Sequence, residues 1–141
     1  MRKILFILMM TITIPNTVKN NGYYIYLLKI DTNNNISLIN TRYINNKLKK
    51  YPQNRQLNEY ILCKVLNSNE ESLFESKLFN PKIIYAEDFL HSKSIDYDLL
   101  DSTYFTIKVP AFNDLESLEF SLSSKINNIK NKKLNKINLY E

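Results

Sequence analysis

Residues 22–51, GYYIYLLKIDTNNNISLINTRYINNKLKKY, decide the fold that we predict for this chain. Residues 23–30 mix tyrosine with aliphatic and β-branched side chains, which favours a β-strand. The Asp-Thr-Asn-Asn-Asn run that follows predicts a turn, because Asp and Asn bond locally to the backbone and tolerate positive φ without glycine. Residues 36–39 are then expected to pair back as the second strand of a hairpin.

The end of this stretch has a different spacing. In residues 43–51, the side chains of Ile44, Lys47 and Leu48 recur at helical offsets, and a proline follows at position 52. This spacing predicts a short basic helix that ends before the proline.

Working outward, residues 57–66 predict a further strand, in which Cys63 packs as a small hydrophobe. Residues 67–69, Asn-Ser-Asn, are expected to cap a helix over residues 70–79. The remaining expected elements are a strand over 103–109, an amphipathic helix from 113 to 122, and a basic C-terminal helix or tail over 123–141. The fold class predicted is therefore α+β, a small mixed sheet with helices packed on it, in a strand-strand-helix-strand-helix core with a late strand and a C-terminal helix.

Length and composition limit the classes of protein. A chain of 141 residues with 44% hydrophobic residues is long enough for one domain with its own core, expected over residues 21–122. The net charge of +5 favours nucleic acids or anionic surfaces, although an AT-rich coding sequence also enriches lysine and asparagine. One cysteine and one histidine exclude an internal disulfide and a structural zinc module.

The N-terminal residues 1–20 allow two interpretations. Arg2 and Lys3 precede an apolar run over residues 4–14, which has the shape of a secretory signal but no clean small-residue cleavage site. The segment is either a signal or membrane anchor, or the first buried element of the domain. A retained anchor would make the membrane a partner, and a cleaved signal would imply secretion. A buried first element would argue against secretion and is compatible with an intracellular protein.

At this point the residues resemble the GIY-YIG nuclease superfamily, in particular its compact versions from large DNA viruses and phages. Tyr24-Ile25-Tyr26, or Gly22-Tyr23-Tyr24 just before it, is similar to the first signature, and Leu38-Ile39-Asn40 stands where the second would fall. The basic segment around Lys47 is similar to the helix that carries the family arginine, and residues 73–78 are similar to the helix that carries its metal-binding glutamate.

This resemblance implies metal-dependent hydrolysis of a phosphodiester, with DNA favoured over RNA. A divalent cation, Mg²⁺ or Mn²⁺, would lower the pKa of a bound water and offset the developing charge. The residues that the resemblance implicates are Tyr24, Tyr26 and Lys47 for catalysis, Arg42, Lys47, Lys49 and Lys50 for contacts with nucleic acid, and Glu75 for the metal.

The chain departs from the family pattern at three of these places. Leu38 replaces the tyrosine of the second signature and Asn40 replaces its glycine. Lys47 replaces the arginine, or Arg42 is that arginine displaced, and lysine cannot grip phosphate with a planar fork. The resemblance thus implies weak activity, or a degenerate member kept for binding nucleic acid.

Two other functions are compatible with the residues. One is a small secreted or membrane-tethered interaction protein without enzymatic activity, in which tyrosine-rich strands build the binding face. The other is a structural subunit of an AT-rich viral or organellar assembly, in which the basic tail binds RNA or a partner.

Overall fold

A computed structural model describes residues 18–49, 59–86, 96–125 and 128–140 of the chain. These residues form nine β-strands and, within those ranges, no helix. The strands are β1 (Val18–Ile30), β2 (Ile36–Ile44), β3 (Glu59–Leu66), β4 (Ser72–Phe79), β5 (Ile83–Ala86), β6 (Asp96–Leu99), β7 (Thr103–Phe112), β8 (Ser117–Ser124) and β9 (Ile129–Asn138). The N-terminal apolar segment of residues 1–17 and the predicted nucleic-acid contact Lys50 lie outside the described residues.

The strands form two antiparallel sheets that pack face to face as a β-sandwich. The first sheet has the strand order β2-β1-β7, and the second has the order β4-β3-β8-β9. β5 and β6 pair separately as a two-stranded ribbon between β4 and β7. Both predicted strands of the opening hairpin are confirmed, because β1 and β2 pair antiparallel from Tyr23 opposite Ile44 to Ile30 opposite Ile36.

One hydrophobic core fills the space between the two sheets. Alternate residues of β1, β3, β7 and β8 point into it, as the period of two in a β-strand requires. The first sheet contributes Leu28 and Val109, and the second contributes Val65 and Phe120, all at most 1% exposed. Cys63 is buried among them, as predicted. The full set of buried residues in this cluster is Tyr26, Leu28, Ile30, Ile36, Ile61, Cys63, Val65, Ile107, Val109, Leu115, Leu118 and Phe120.

The hairpins β1-β2 and β3-β4 use the same turn, built on an Asp or an Asn. The Asp31 carboxylate accepts from the Asn35 backbone N–H at 2.8 Å, and the Asn67 side-chain oxygen accepts from the Glu71 N–H at 2.8 Å. In each turn the fourth residue has positive φ, 63° at Asn34 and 61° at Glu70. In most tight hairpins glycine adopts the positive φ of the turn; here a non-glycine residue adopts it, and the Asp or Asn side chain bonds to the turn backbone.

The α+β fold class is wrong, because strands stand where the helices were expected. Residues 72–79 form β4 rather than a helix, because Asn67 bonds to a hairpin turn instead of capping a helix. The predicted helix at 113–122 is mostly β8, and the predicted C-terminal helix is β9. The predicted basic helix at 43–51 begins with the end of β2 and continues without helix through residue 49. No helix in the described part of the chain has the length and apolar character needed to cross a membrane.

Gly22, the sole glycine of the chain, leaves space for the side chain of Tyr43 on the neighbouring strand. Gly22 lies on β1 with ordinary negative φ, so its backbone conformation does not require glycine. A Cβ atom at this position would overlap the phenol of Tyr43 on β2. Gly22 thereby lets the Tyr43 ring lie across β1, next to Tyr24 at 5.3 Å between ring centroids.

Candidate nucleic-acid interface

The tyrosines predicted as catalytic lie on the inner side of the first sheet. Tyr26 is 2% exposed and belongs to the core, and Tyr24 packs against the same cluster with its ring centroid 5.9 Å from that of Tyr26. Burial raises the pKa of the Tyr26 phenol, because desolvation disfavours the phenolate, and the nearby Tyr24 adds to the effect. The phenol of Tyr26 therefore stays protonated at neutral pH.

The predicted metal ligand Glu75 lies on the outer side of the other sheet. Its carboxylate pairs with the ammonium of Lys64 on β3 at 3.4 Å, and both side chains are partly exposed. No three His, Cys, Asp or Glu side chains come together as a metal site within the ranges that the structure describes. A single carboxylate that already faces a lysine is a poor site for Mg²⁺ or Mn²⁺, which favour several oxygen ligands and are repelled by a neighbouring cation.

The residues with predicted catalytic roles are not brought to one place. Tyr24 and Tyr26 point inward from one sheet, and Glu75 points outward from the opposite sheet, so the core and a sheet separate them. Lys47 is exposed in the segment after β2, where its backbone N–H donates to the Asn46 side chain at 2.8 Å. This geometry does not fit the metal-dependent site that the resemblance implies.

A different group of side chains covers the outer side of the β2-β1-β7 sheet. Because the even-numbered residues of β1 face the core, the odd-numbered ones face outward, together with their register partners on β2 and β7. Arg42 and Lys108 stand on either side of Ile25 in one row across the sheet. Lys29 stands beside Tyr104, with its Nζ over the ring 5.8 Å from the centroid. We call this surface the cationic face, defined by Lys29, Arg42, Tyr104, Thr106 and Lys108.

The charge on the cationic face is of one sign. β1, β2 and β7 contain no Asp or Glu at any position. The carboxylates nearest in sequence, Asp31, Asp101 and Asp114, lie beyond the strand ends, and the Asp31 carboxylate is hydrogen-bonded within its own turn. The positive field above this sheet is therefore not offset by acidic residues within its strands.

The outer side of the β4-β3-β8-β9 sheet also carries lysines, and three ion pairs engage lysines of this sheet with carboxylates, while the ammonium of Lys77 lies over the Tyr60 ring, 5.2 Å from its centroid. Besides Lys64 with Glu75, the ammonium of Lys133 lies 2.7 Å from the Glu119 carboxylate. The third pair, between Lys136 and Glu70 at 2.9 Å, lowers the pKa of that glutamate. This sheet surface therefore carries charges of both signs, and its carboxylates offset part of the positive charge that would attract a polyanion.

The remaining lysines on β9 have a structural explanation. β9 is an edge strand of its sheet, and Lys130 and Lys132 are exposed along it. Lysines on an edge strand discourage pairing with a strand of another molecule. The basic tail predicted from the sequence is thus an edge strand, and its lysines discourage pairing with other molecules.

Sequence reasoning found Arg42 of the cationic face and missed Lys29, Tyr104 and Lys108. Their signal is the period of two: each lies on the opposite side of its strand from the buried residues, in strands without acidic residues. Comparison of the chain with protein-family models, with curated proteins and with solved structures finds no match. A face with cations and an exposed phenol, on strands that contain no carboxylates, can neutralise phosphates and offer an aromatic surface to a base.

Proposed function

We propose that this protein binds nucleic acid through the cationic face. The observation that carries the proposal is the contrast between the two sheets. Lys29 and Arg42 share a surface whose strands lack acidic residues, whereas ion pairs on the other sheet engage Lys64 and Lys133 with carboxylates. Positively charged side chains attract phosphate backbones, and this attraction supplies most of the affinity of non-specific binding.

Lys47 and Lys49 extend the same surface beyond the end of β2. Both are exposed in the segment that follows Ile44, whose register partner Tyr23 is an outward residue of β1. They join Arg42 as contacts to phosphate. We assign no hydrolytic step to the protein, because Tyr26 and Glu75 face different sides of the sandwich.

The experiment measures binding of the full chain to a fluorescently labelled oligonucleotide across a series of salt concentrations. We expect the affinity to fall as salt rises, because binding releases counterions from the phosphates. The double variant Lys29→Gln with Arg42→Gln should weaken binding, and the slope of log affinity against log salt should become shallower by about 0.7 to 0.9 for each lost phosphate contact.

The matched control removes two positive charges elsewhere, in Lys130→Gln with Lys132→Gln on β9. This variant has the same net charge, so an effect of overall charge would lower its affinity equally. Equal loss in both variants, or a larger loss in the β9 variant, would contradict the cationic face as the binding site. If the wild-type chain instead binds another protein, with an affinity that does not change with salt concentration, a protein interaction module is favoured.

A further inference from the structure

The exposed ring of Tyr104 distinguishes the cationic face from a simple patch of positive charge. Tyr104 is 59% exposed, although it lies within the β7 strand and its neighbours Phe105 and Ile107 face the core. The Lys29 ammonium lies 5.8 Å from its centroid, which is within range of a cation-π contact. A large apolar ring and a cation therefore occupy adjacent positions on two paired strands.

We infer that the nucleic acid bound here is single-stranded, with a base stacked on Tyr104 and its phosphates on the neighbouring cations. This inference rests on the proposed function. A nucleotide has a flat aromatic base and a negatively charged phosphate. The Tyr104 ring can stack on the base, and the Lys29 ammonium can contact the phosphate. Stacking on aromatic side chains within a positively charged groove is how proteins hold single strands without reading their sequence.

The shape of the face disfavours a duplex. In a double helix the base faces are covered by stacking, so a protein reads the base edges by inserting a helix or a two-stranded ribbon into a groove. The cationic face consists of side chains standing on a three-stranded sheet, which is neither a helix nor a two-stranded ribbon, and the β5-β6 ribbon is a separate sheet from it. A duplex lying on it would meet the lysines and Arg42 but would leave Tyr104 without a stacking partner.

The spacing of the cations matches a short run of nucleotides. Arg42 and Lys108 stand two strands apart across β1, about 10 Å at the usual separation of paired strands. The Lys29 and Tyr104 row lies four residues along β1 from Ile25, about 13 Å away at the usual rise per residue. At about 3.4 Å per nucleotide, the rise along each strand of B-DNA, a strand reaching both rows spans at most about four nucleotides, and fewer if it is more extended.

The test compares a single-stranded oligonucleotide with a blunt duplex of the same sequence, in DNA and in RNA form, for four full-length proteins. These are the wild type, Tyr104→Leu, Tyr104→Phe and the control Phe79→Leu, whose ring is 40% exposed on β4 of the other sheet. Because Tyr104 is mostly exposed, Tyr104→Leu should retain the thermal unfolding temperature of the wild type, and circular dichroism checks this.

We expect the wild type to bind the single strand at least about tenfold more tightly than the duplex. Tyr104→Leu should lower affinity for the single strand by about 5- to 150-fold, the loss found when a base loses its aromatic partner. Tyr104→Phe and Phe79→Leu should bind like the wild type, and duplex affinity should be the same in all four proteins.

Two outcomes overturn the inference, and they can be told apart. If single strand and duplex bind equally and Tyr104→Leu changes neither, while Lys29→Gln with Arg42→Gln weakens both, the protein binds nucleic acid but has no stacking platform. If the wild type binds neither form at low salt, the proposed function fails together with the inference.

Discussion

Asn135 on β9 pairs with both backbone groups of Ile36 on β2. Its side-chain oxygen accepts from the Ile36 N–H at 3.2 Å, and its side-chain NH₂ donates to the Ile36 carbonyl at 2.6 Å. β2 and β9 are edge strands of different sheets, so a side-chain amide takes the place of a neighbouring strand for Ile36. This closes one edge of the sandwich, where unpaired backbone groups would otherwise be available to another molecule.

Replacing Asn135 should destabilise the sandwich. Asn135→Ala leaves two backbone groups without their partner, and we expect the free energy of unfolding to fall by about 1 to 3 kcal/mol. Asn135→Asp should also destabilise, because a carboxylate would face the Ile36 carbonyl. Urea unfolding followed by circular dichroism measures the change, with Asn45→Ala, an exposed residue beyond β2, as the control. Equal stability of Asn135→Ala and the control would contradict this account of the edge.

Lys82 is a buried lysine whose ammonium is satisfied by the first hairpin turn. Its Nζ donates to the carbonyls of Asp31 and Thr32 at 3.2 and 3.3 Å and to the Asn34 side chain at 3.1 Å, and the residue is 8% exposed. Lys82→Met should retain the packing of the aliphatic stem but lose these bonds.

We expect Lys82→Met to lower the free energy of unfolding by about 1 to 3 kcal/mol, because the acceptors are part-buried and lose a charged donor. Thermal unfolding measures this against Lys130→Met, an exposed lysine on β9. A control that is destabilised as much as Lys82→Met would show that the turn does not depend on the ammonium.

The Asp31 turn predicts a dependence of stability on acid. Hydrogen bonds from the Asn35 backbone, and less so from its side chain, lower the pKa of the Asp31 carboxyl below its usual 3.8. A lowered folded pKa stabilises the protein above the unfolded value, and this contribution disappears as the pH falls through the folded pKa. Wild type should therefore lose stability below about pH 4 relative to Asp31→Asn, because the amide accepts the same bonds as Asn67 and does not titrate.

Unfolding monitored at pH 7 and at pH 3 checks this difference. The two proteins should differ less at pH 3 than at pH 7 if the charged form makes the stronger hydrogen bonds. A constant difference across this interval would show that the Asp31 charge plays no part in the turn.

Cys63 should be unreactive in the folded protein. It is 1% exposed, and burial raises the pKa of its thiol to about 12, so almost no thiolate is present at neutral pH. Because the chain has a single cysteine, the rate of labelling by a thiol reagent reports on Cys63 alone. We expect labelling to be slow in buffer and complete in denaturant. Rapid labelling without denaturant would indicate that the centre of the sandwich opens readily.

The opening hairpin could be predicted from the sequence, because its strands and turn give one signal each. Residues 23–30 combine β-formers, and the Asp and Asn run can only turn the chain. The later elements are ambiguous, since a spacing of four residues satisfies both the helical period of 3.6 and the strand period of two. Leu118 and Leu122 illustrate this. They were predicted to lie on one face of a helix, and they instead lie on the core side of β8, together with Phe120 between them.

Asn67 shows why the fold class was wrong. An Asn side-chain oxygen can accept from backbone N–H groups two or three residues ahead to cap a helix, or from nearby N–H groups to hold a turn, and the sequence does not distinguish the two. Here it accepts from Asn69 and Glu71, and the positive φ of Glu70 turns the chain back into β4. A non-glycine residue in this conformation has no signal in the sequence, so neither β4 nor the pairing of the two sheets could be predicted.

The sequence alone predicts only part of the cationic face. Arg42 was predicted as a nucleic-acid contact only because the resemblance to the GIY-YIG superfamily implied an arginine there. Lys29 and Tyr104 are far apart in the sequence and become neighbours only because β7 crosses back to pair with β1. Crossovers of this kind bring residues together without any local pattern, so the face could not be derived from spacing along the chain.

The most direct test of the cationic face is a titration of ¹⁵N-labelled full-length protein with an unlabelled single-stranded oligonucleotide, followed by amide chemical shifts. We predict that the largest changes occur at Lys29, Arg42, Tyr104, Thr106 and Lys108, and that Lys64, Glu75 and Glu119 on the opposite sheet stay in place. Changes concentrated on that opposite sheet or along β9, or no changes at low salt, would contradict the account.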